Sequence, residues 1–258
     1  MRIHYDLSHV NGYIEQYKHS EIWDFQPEFE NILRRIKKFK TMGADTKILE
    51  VGTGIGWFAI LCNKQGICCE GIEICPQLVE YAQNLGRRHN VEPGIKLGNI
   101  EETEIGTSTY DIVVATSTFE HVDQWEKGIQ KVFNALKPGG LLYFYSTNKF
   151  SLWSGECRFP LYSWLPNKWR YRLRIAQQGE EIMKLGIDFN QFSPFHLKGF
   201  FKKVGFSAVF DQFQILDSEN IMRKKRWKDQ LLKAIQLFWP LKPLALLFSP
   251  GTLFICRK

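Results

Sequence analysis

Residues 48–56 constrain this chain more than any other segment, because three glycines at alternate positions follow a short apolar run. The run from Lys47 to Val51 is typical of a buried parallel strand, and residues 57–64 are predicted to form a helix. A strand, a tight glycine turn and a helix N-terminus form a cradle that a nucleotide-like ligand can approach closely. Dinucleotide-binding loops follow G-x-G-x-x-G, whose third glycine would stand at position 57. Trp57 therefore argues against a bound dinucleotide and a nicotinamide oxidoreductase.

Strands and helices alternate through most of the chain. The pattern predicts strands at 47–52, 68–74, 95–99, 110–116, 140–147, 206–216 and 252–257. It predicts helices at 9–20, 24–40, 56–65, 76–87, 123–136 and 194–204, with the turn 137–140 between a helix and a strand. This alternation predicts an α/β fold, a doubly wound Rossmann-like sheet with seven strands. Residues 148–193 have a weak helical pattern and are interpreted as an insertion after the fifth strand.

Glu73 closes the second predicted strand, on the same side of the sheet as the glycine loop. A carboxylate at that strand end can accept two hydrogen bonds from a ribose diol, and the negative charge strengthens both. The alternative is a solvated carboxylate with no ligand. Because the glycine loop stands upstream, we favour the ribose interpretation.

Together these motifs resemble the class I S-adenosylmethionine (SAM)-dependent methyltransferases, in the ubiquinone-biosynthesis-like branch (methyltransferase type 11/23). Glu50 and the three glycines after it are similar to the first motif of that family. The run Thr116–Val122 is similar to the fourth motif, in which a Glu-His pair is frequent. The resemblance spans about residues 45–210. It implies SAM as the cofactor and an antiparallel last strand between the fifth and sixth.

The resemblance also implies which residues hold the cofactor. Asn99, where the family commonly has Asp, would accept from the adenine amino group; the alternative is a turn signal after the third strand. Ile100 would flank the adenine ring, and Glu50 would reach the methionine amino group through water. The predicted cofactor-binding residues are Glu50, Gly52, Thr53, Gly54, Gly56, Glu73, Ile74, Asn99, Ile100, Glu101 and Thr116.

His121 and Glu120 are the predicted catalytic residues. Methyl transfer is an in-line displacement, and a hydroxyl nucleophile must lose its proton as it attacks, so His121 is the predicted general base. The alternative is that His121 only braces the following helix; His196 is a weaker candidate for the base. Glu120 would orient His121 or hold the methionine end of SAM. The quinone branch often has Glu-x-x-Glu-His, which can supply metal ligands, but Ser117 occupies the first position, so no metal site is assigned.

Cysteine usage predicts a cytoplasmic protein. The first thirty residues contain no apolar leader segment, and six cysteines without one are expected to remain reduced thiols. The spacing of Cys62, Cys68, Cys69 and Cys75 matches no zinc motif, so these residues are interpreted as small core side chains.

The net charge of +7 is concentrated at one end of the chain. Residues 221–258 contain nine Lys or Arg against one acid, a net of +8, which leaves −1 for the first 220 residues. A basic cluster at 223–228 leads into apolar residues 231–248, which Pro240 interrupts and which are too short to span a bilayer. Residues 221–248 are therefore expected to lie on an anionic membrane surface or to form a lid over an apolar acceptor pocket. No nucleic-acid-binding signature accompanies the charge.

These observations predict four regions: an N-terminal helical cap (1–44), a SAM-binding core (45–147), a substrate-side insertion (148–193) and a C-terminal part of the core (194–258). The expected function is methyl transfer to a hydroxyl of a lipophilic or membrane-proximal small molecule. The alternatives are methylation of a glycan or sugar hydroxyl, and a non-catalytic scaffold that binds SAM or a membrane. The expected location is cytoplasmic, peripheral on the inner face of a membrane.

Overall fold

The computed structural model describes residues 14, 15, 17–154, 157, 159–179, 190–216 and 240–258. Its strands are β1 (Lys47–Val51), β2 (Cys68–Glu73), β3 (Gly94–Leu97), β4 (Tyr110–Thr116), β5 (Leu136–Thr147), β6 (Ala208–Asp211) and β7 (Gly251–Arg257). Its α-helices are α1 (Gln26–Lys37), α2 (Trp57–Lys64), α3 (Pro76–Arg88), α4 (Trp125–Ala135), α5 (Asn167–Gln178), α6 (Pro194–Val204), α7 (Gln212–Ile215) and α8 (Leu241–Leu247). Short 3-10 segments cover Ile22–Phe25, Phe119–His121 and Tyr162–Trp164.

The seven strands form one sheet in the order β3-β2-β1-β4-β5-β7-β6. β1 to β5 pair in parallel, and β7 runs antiparallel to both β5 and β6. This confirms the predicted Rossmann-like fold and the place of the last strand. The strand order reverses between β1 and β4, and in such sheets a crevice opens at the carboxyl ends of the strands at this point.

Both faces of the sheet are buried, which explains why its central strands are short apolar runs. On β4, Val113 belongs to the hydrophobic cluster that includes residues of α4 and α6. Ile112 and Val114, its neighbours on the strand, belong to the cluster that includes residues of α1, α2 and α3. The strands whose ends border the crevice are therefore fixed by packing on both faces of the sheet.

The N-terminal cap packs on the same face as α2. The predicted helix 24–40 is confirmed, with α1 as its regular part and with Phe29, Ile32, Leu33 and Ile36 buried. The rings of Phe29 and Phe58 lie 5.5 Å apart and join α1 to α2. Most of the helix predicted at 9–20 lies outside the residues that the structure describes.

Two boundaries differ from the sequence predictions. Residues 137–140, predicted as a turn, belong to β5, which begins at Leu136 opposite Tyr110 and shifts register before Ile112. The predicted strand 206–216 ends at Asp211, where α7 begins. The Asp211 side chain accepts from Phe213 N, and Gln214 accepts from Asp211 N, so this capping box turns the chain into a helix.

The insertion contains a helix, α5, which the weak helical pattern did not predict. The residues that α5 buries most are Arg170 and Arg174, spaced four apart, so its inner face has no apolar periodicity. The base of the insertion is fixed to α8, because Asn148 Nδ2 donates to Leu246 O and Ser249 O at 3.2 and 2.8 Å. Residues 217–239, which hold most of the predicted basic segment, lie outside the described ranges. Within those ranges, no helix has the length and apolar character to cross a membrane.

Candidate active site

A pocket of about 450 Å³ lies at the carboxyl ends of β1, β2 and β4. Every predicted cofactor-binding residue except Gly56 lines it, and so does His121. The structure thus brings together residues from four separate stretches of the chain, the loops after β1, β2, β3 and β4.

The loop after β1 requires glycine at its first position for two reasons. Gly52 has φ +71°, a left-handed conformation that side chains rarely adopt. A Cβ at Gly52 would also lie 2.5 Å from Oγ1 and Cγ2 of Thr118. Thr118 is fixed there because its Oγ1 donates to Val51 O at 2.9 Å. The loop after β4 therefore packs directly on the glycine loop.

Gly56 does not line the pocket, unlike the other glycines of the motif. A Cβ at Gly56 would lie 2.7 Å from Ala82 Cβ and 2.8 Å from Ile95 Cδ1. The glycine at this position allows the start of α2 to pack against α3 and β3. Gly56 therefore supports the pocket from behind, whereas the sequence analysis assigned it to the cofactor.

The Glu73 carboxylate holds the pocket together. Its Oε2 accepts from Gly54 N at 2.8 Å, and its Oε1 accepts from Ile74 N and Cys75 N at 2.9 and 3.1 Å. Burial raises the pKa of Glu73, and the three N–H donors and the nearby His121 partly oppose that rise. A carboxylate offers about four acceptor positions, so Glu73 retains acceptor capacity for a ligand hydroxyl.

Three buried polar atoms in this pocket have no hydrogen-bond partner within the described part of the chain: Glu50 Oε2, Thr53 Oγ1 and His121 Nδ1. Burial raises the pKa of Glu50 well above its usual range; the Ala59 backbone N–H opposes this, and the charge of Glu73 adds to it. Buried polar atoms are nearly always hydrogen-bonded in native proteins. A ligand that brings a cationic donor to Glu50 would satisfy the carboxylate, as the ammonium group of SAM would.

The loop after β3 forms one wall of the pocket. Asn99 Oδ1 accepts from Glu101 N at 2.9 Å, so Asn99 stabilises the turn after β3, as the alternative interpretation expected. One lone pair of Oδ1 remains for a ligand. Ile100 is buried in the pocket wall. Glu101 Oε1 accepts from Gln124 N at 3.0 Å and joins this loop to the start of α4.

The two predicted catalytic residues lie in different surroundings. His121 lines the pocket, and its Nδ1 is buried without a hydrogen-bond partner among the residues described. Glu120 is also buried but does not line the pocket. Ser146 Oγ donates to Glu120 Oε2 at 2.6 Å, which directs Glu120 toward β5. The structure therefore brings His121, and not Glu120, into the pocket.

Asn190 fixes the turn that carries His121, and the sequence analysis did not find it. Asn190 Nδ2 donates to Phe119 O at 3.1 Å and to Val122 O at 2.6 Å, and Asn190 N donates to Glu120 O at 3.0 Å. A single asparagine almost 70 residues from the turn carries no local signal. Only the position of the insertion relative to β4 reveals this contact.

Aromatic residues close the pocket on the side of the N-terminal cap. Tyr17 and Trp57 line it, and the rings of Phe25 and Trp57 stack 5.4 Å apart at 14°. Trp57, which the sequence analysis used only to exclude a dinucleotide, is thus a wall of the pocket. An aromatic residue directly after the last glycine was the available signal.

A second cavity, of about 510 Å³, lies between α4, the insertion and the start of α6. Trp125, Trp164, Phe192, Lys149 and His196 are among the residues that line it. His196 is therefore separate from the pocket that contains His121. Nowhere in the described ranges do three His, Cys, Asp or Glu side chains form a group that could hold a metal ion.

Comparisons with known proteins show the family and the fold of this chain. The family described as a methyltransferase domain matches residues 22–209. A ubiquinone biosynthesis O-methyltransferase of Vibrio cholerae is 30% identical over 142 residues, which cover 50% of this chain and 56% of the relative. The chain thus spans little more than half the length of that relative.

Solved structures of low sequence identity share the fold. A SAM-dependent methyltransferase from Archaeoglobus fulgidus has a TM-score of 0.58 at 16% identity, over 98% of this chain and 100% of that one. Phosphoethanolamine N-methyltransferase 2 of Haemonchus contortus, in complex with SAM, has a TM-score of 0.56 at 17% identity, over 89% of this chain and 52% of that one.

Proposed function

The chain belongs to the class I SAM-dependent methyltransferases, and from this premise we propose that it transfers the methyl group of SAM to a hydroxyl of a lipophilic or membrane-proximal small molecule. The observation that carries the proposal is the pocket itself. It joins a glycine loop of left-handed backbone, a buried acid without a cationic partner in the described residues and an imidazole in one cavity. These are the groups that recognition of SAM and deprotonation of an acceptor require.

The residues present fit SAM. Glu50 would pair with the amino group of the methionine end, and Glu73 would accept from a ribose hydroxyl. Ile100 would contact the adenine ring, with Asn99 Oδ1 near the adenine amino group. Bound SAM supplies an electrophilic methyl group on a positively charged sulfur. Gly52 and Gly54 let the backbone approach the cofactor closely.

His121 is the proposed general base. The acceptor oxygen forms a bond to the methyl carbon as the carbon–sulfur bond breaks, and the hydroxyl proton passes to the imidazole. The products are a methyl ether and S-adenosylhomocysteine. General-base catalysis of this kind contributes about 10²- to 10⁴-fold in rate. Asn190 would keep the imidazole at a fixed distance from the acceptor, because it holds the turn on both sides of His121.

Two observations support a hydroxyl on a lipophilic acceptor. The Vibrio cholerae relative is named an O-methyltransferase of ubiquinone biosynthesis. The second cavity, beside the insertion, has Trp125, Trp164 and Phe192 in its lining, together with polar residues such as Glu126 and Lys149. A glycan hydroxyl is the alternative acceptor, and a scaffold without catalysis is the alternative function. A cytoplasmic protein bound to the inner face of a membrane, with residues 221–248 in contact, suits this acceptor.

Transfer of a tritiated methyl group from SAM to fractionated cell extract tests the proposal. We expect label in the organic-solvent fraction with the wild-type protein, and a loss of at least about 100-fold in the His121→Ala variant. His89→Ala, which changes a histidine outside the pocket, serves as the matched control. Label confined to the glycan fraction would favour the alternative acceptor. SAM binding without any labelled product would favour the scaffold.

A further inference from the structure

Nine large apolar side chains in the described parts of the insertion and in α8 with its C-cap residue are exposed to solvent. Six of them, including all three tryptophans, have exposed fractions of Trp153 67%, Trp164 41%, Trp169 56%, Leu241 40%, Leu244 54% and Phe248 38%. We call these six the aromatic face. Tryptophan is usually highly buried in soluble proteins, and a concentration of exposed apolar side chains marks an interaction site.

Hydrogen bonds and ring contacts hold part of the aromatic face in place. The rings of Trp164 and Phe248 stack 6.1 Å apart at 11°, which joins the insertion to α8. Trp164 Nε1 donates to Ser151 O at 3.1 Å, and Trp153 pairs with Pro160 in a short antiparallel bridge. Asn148 holds the last turn of α8. These contacts fix Trp153, Trp164 and Phe248 in place.

The aromatic face is on the side of the sheet where the pocket opens. The insertion leaves the carboxyl end of β5, where Thr147 pairs with Gly251 at the start of β7. α8 ends a few residues before that pair. A surface bound to this face would therefore lie near the site where the proposed acceptor enters.

The exposed charged side chains in the described part of the insertion are all cationic. Lys149, Lys168 and Arg172 are exposed, and the Arg172 guanidinium lies 5.7 Å from the centre of the Trp169 ring. Tryptophan rings with adjacent cations are the composition that the headgroup level of an anionic bilayer favours.

From these features we propose that the aromatic face docks on the headgroup layer of an anionic membrane. A second copy of the chain suits this face less well, because a twofold interface would bring one positively charged patch against another. The inference extends the proposed function by naming a membrane contact beside its site, on residues other than the basic segment 221–239. The inferred membrane contact rests on the proposed function in one respect only, that membrane binding would give access to a lipophilic acceptor.

Co-sedimentation of the full chain with phosphatidylglycerol–phosphatidylcholine vesicles, without SAM, tests the proposal. We expect binding that weakens as salt rises, and a loss of about tenfold or more in Trp153→Ala/Trp169→Ala. Trp23→Ala is the matched control. Trp23 is 53% exposed, and its ring packs against His89, the C-cap residue of α3, away from the aromatic face. We expect the Trp23→Ala variant to bind the vesicles within about twofold of the wild type, since this substitution removes an exposed tryptophan outside the aromatic face.

Three outcomes would overturn the proposal. The first is wild-type protein that fails to sediment with anionic vesicles at low salt. The second is full binding by the double variant together with loss of binding in Lys224→Gln/Lys225→Gln, which would place the contact in the basic segment. The third is a concentration-dependent dimer in sedimentation velocity that the double variant abolishes. Far-ultraviolet circular dichroism confirms folding of each variant. Co-sedimentation of the His121→Ala variant, which is expected to lose methyl transfer, shows whether membrane binding is independent of that activity.

Discussion

The backbone N–H of Gly54 donates to Glu73 Oε2 at 2.8 Å, so the acid that closes β2 holds the middle of the loop that follows β1. The same carboxylate accepts from Ile74 N and Cys75 N on its other oxygen. One side chain therefore fixes two walls of the pocket before any ligand binds. This contact makes Glu73 a positioning residue as well as a proposed ligand-binding one.

We expect Glu73→Gln to weaken SAM binding by at least about tenfold, because removing one acceptor from a buried, charge-assisted group costs about 1–3 kcal/mol. If the glutamine oxygen faces Ile74 N and Cys75 N, its amide N–H group must face the Gly54 N–H, and two donors then meet. Calorimetric titration with SAM measures the effect. Glu102→Gln, at an exposed carboxylate on the same side of the sheet, is the control. Equal affinity in both variants would count against the role of Glu73.

We expect Gly52→Ala to lose most SAM affinity and about 1–3 kcal/mol of unfolding free energy. The alanine would combine a left-handed φ with a Cβ 2.5 Å from the Thr118 side chain. Chemical denaturation and SAM titration measure the two effects. Gly43→Ala is the matched control, because a Cβ there meets nothing within 4 Å. A Gly52→Ala protein as stable as Gly43→Ala would contradict the close packing of Thr118 on Gly52.

Glu50 gives the SAM-free protein a pH-dependent stability. Its folded-state pKa lies above the ordinary value of 4.5, so the unfolded chain loses this proton first as pH rises. The free energy of unfolding therefore falls from about pH 4.5 up to the raised pKa, and the loss persists above that point. We expect Glu50→Gln to melt at a higher temperature than the wild type, with a difference that grows as pH rises through this window.

The same substitution should weaken SAM binding, since the neutral amide cannot pair with an ammonium group. Thermal melts without SAM, between about pH 5 and about pH 8, measure the stability effect. Glu30→Gln, at an exposed carboxylate on α1, should leave both the melting temperature and its pH dependence unchanged. A Glu50→Gln protein less stable than the wild type across this range would contradict the burial of a carboxyl without a cationic partner.

Asn190 should act on catalysis more than on SAM binding. Asn190→Ala removes the donors to Phe119 O and Val122 O, so we expect kcat to fall about tenfold while SAM affinity changes less than about threefold. Asn190→Asp should not rescue activity, because a carboxylate has no donor for these two carbonyls. Asn134→Ala, on the exposed side of α4, is the control. Parallel losses in kcat and SAM affinity would indicate a general structural role.

The sheet and the cofactor loop could be predicted because their signals are local. Strands buried on both faces are short apolar runs, and the residues from Glu50 to Gly56 lie next to one another in the sequence. The sheet order then brings Glu73 and Asn99 to the same edge, as expected for carboxyl ends of parallel strands.

What could not be predicted depends on contacts across the fold. Thr118 restricts Gly52 from 66 positions away, and Asn190 holds the turn of His121 from the far end of the insertion. α5 was missed because its inner face buries Arg170 and Arg174, where a pattern search expects apolar residues. Charged side chains give no periodic signal even when tertiary contacts bury them.

Calorimetric titration of the purified wild-type chain with SAM, S-adenosylhomocysteine and NADH tests the central claim most directly. We predict that SAM and S-adenosylhomocysteine bind with one site per chain and that NADH does not, because Trp57 stands where a dinucleotide loop needs glycine. Binding of NADH without binding of SAM or S-adenosylhomocysteine would contradict the assignment of this pocket.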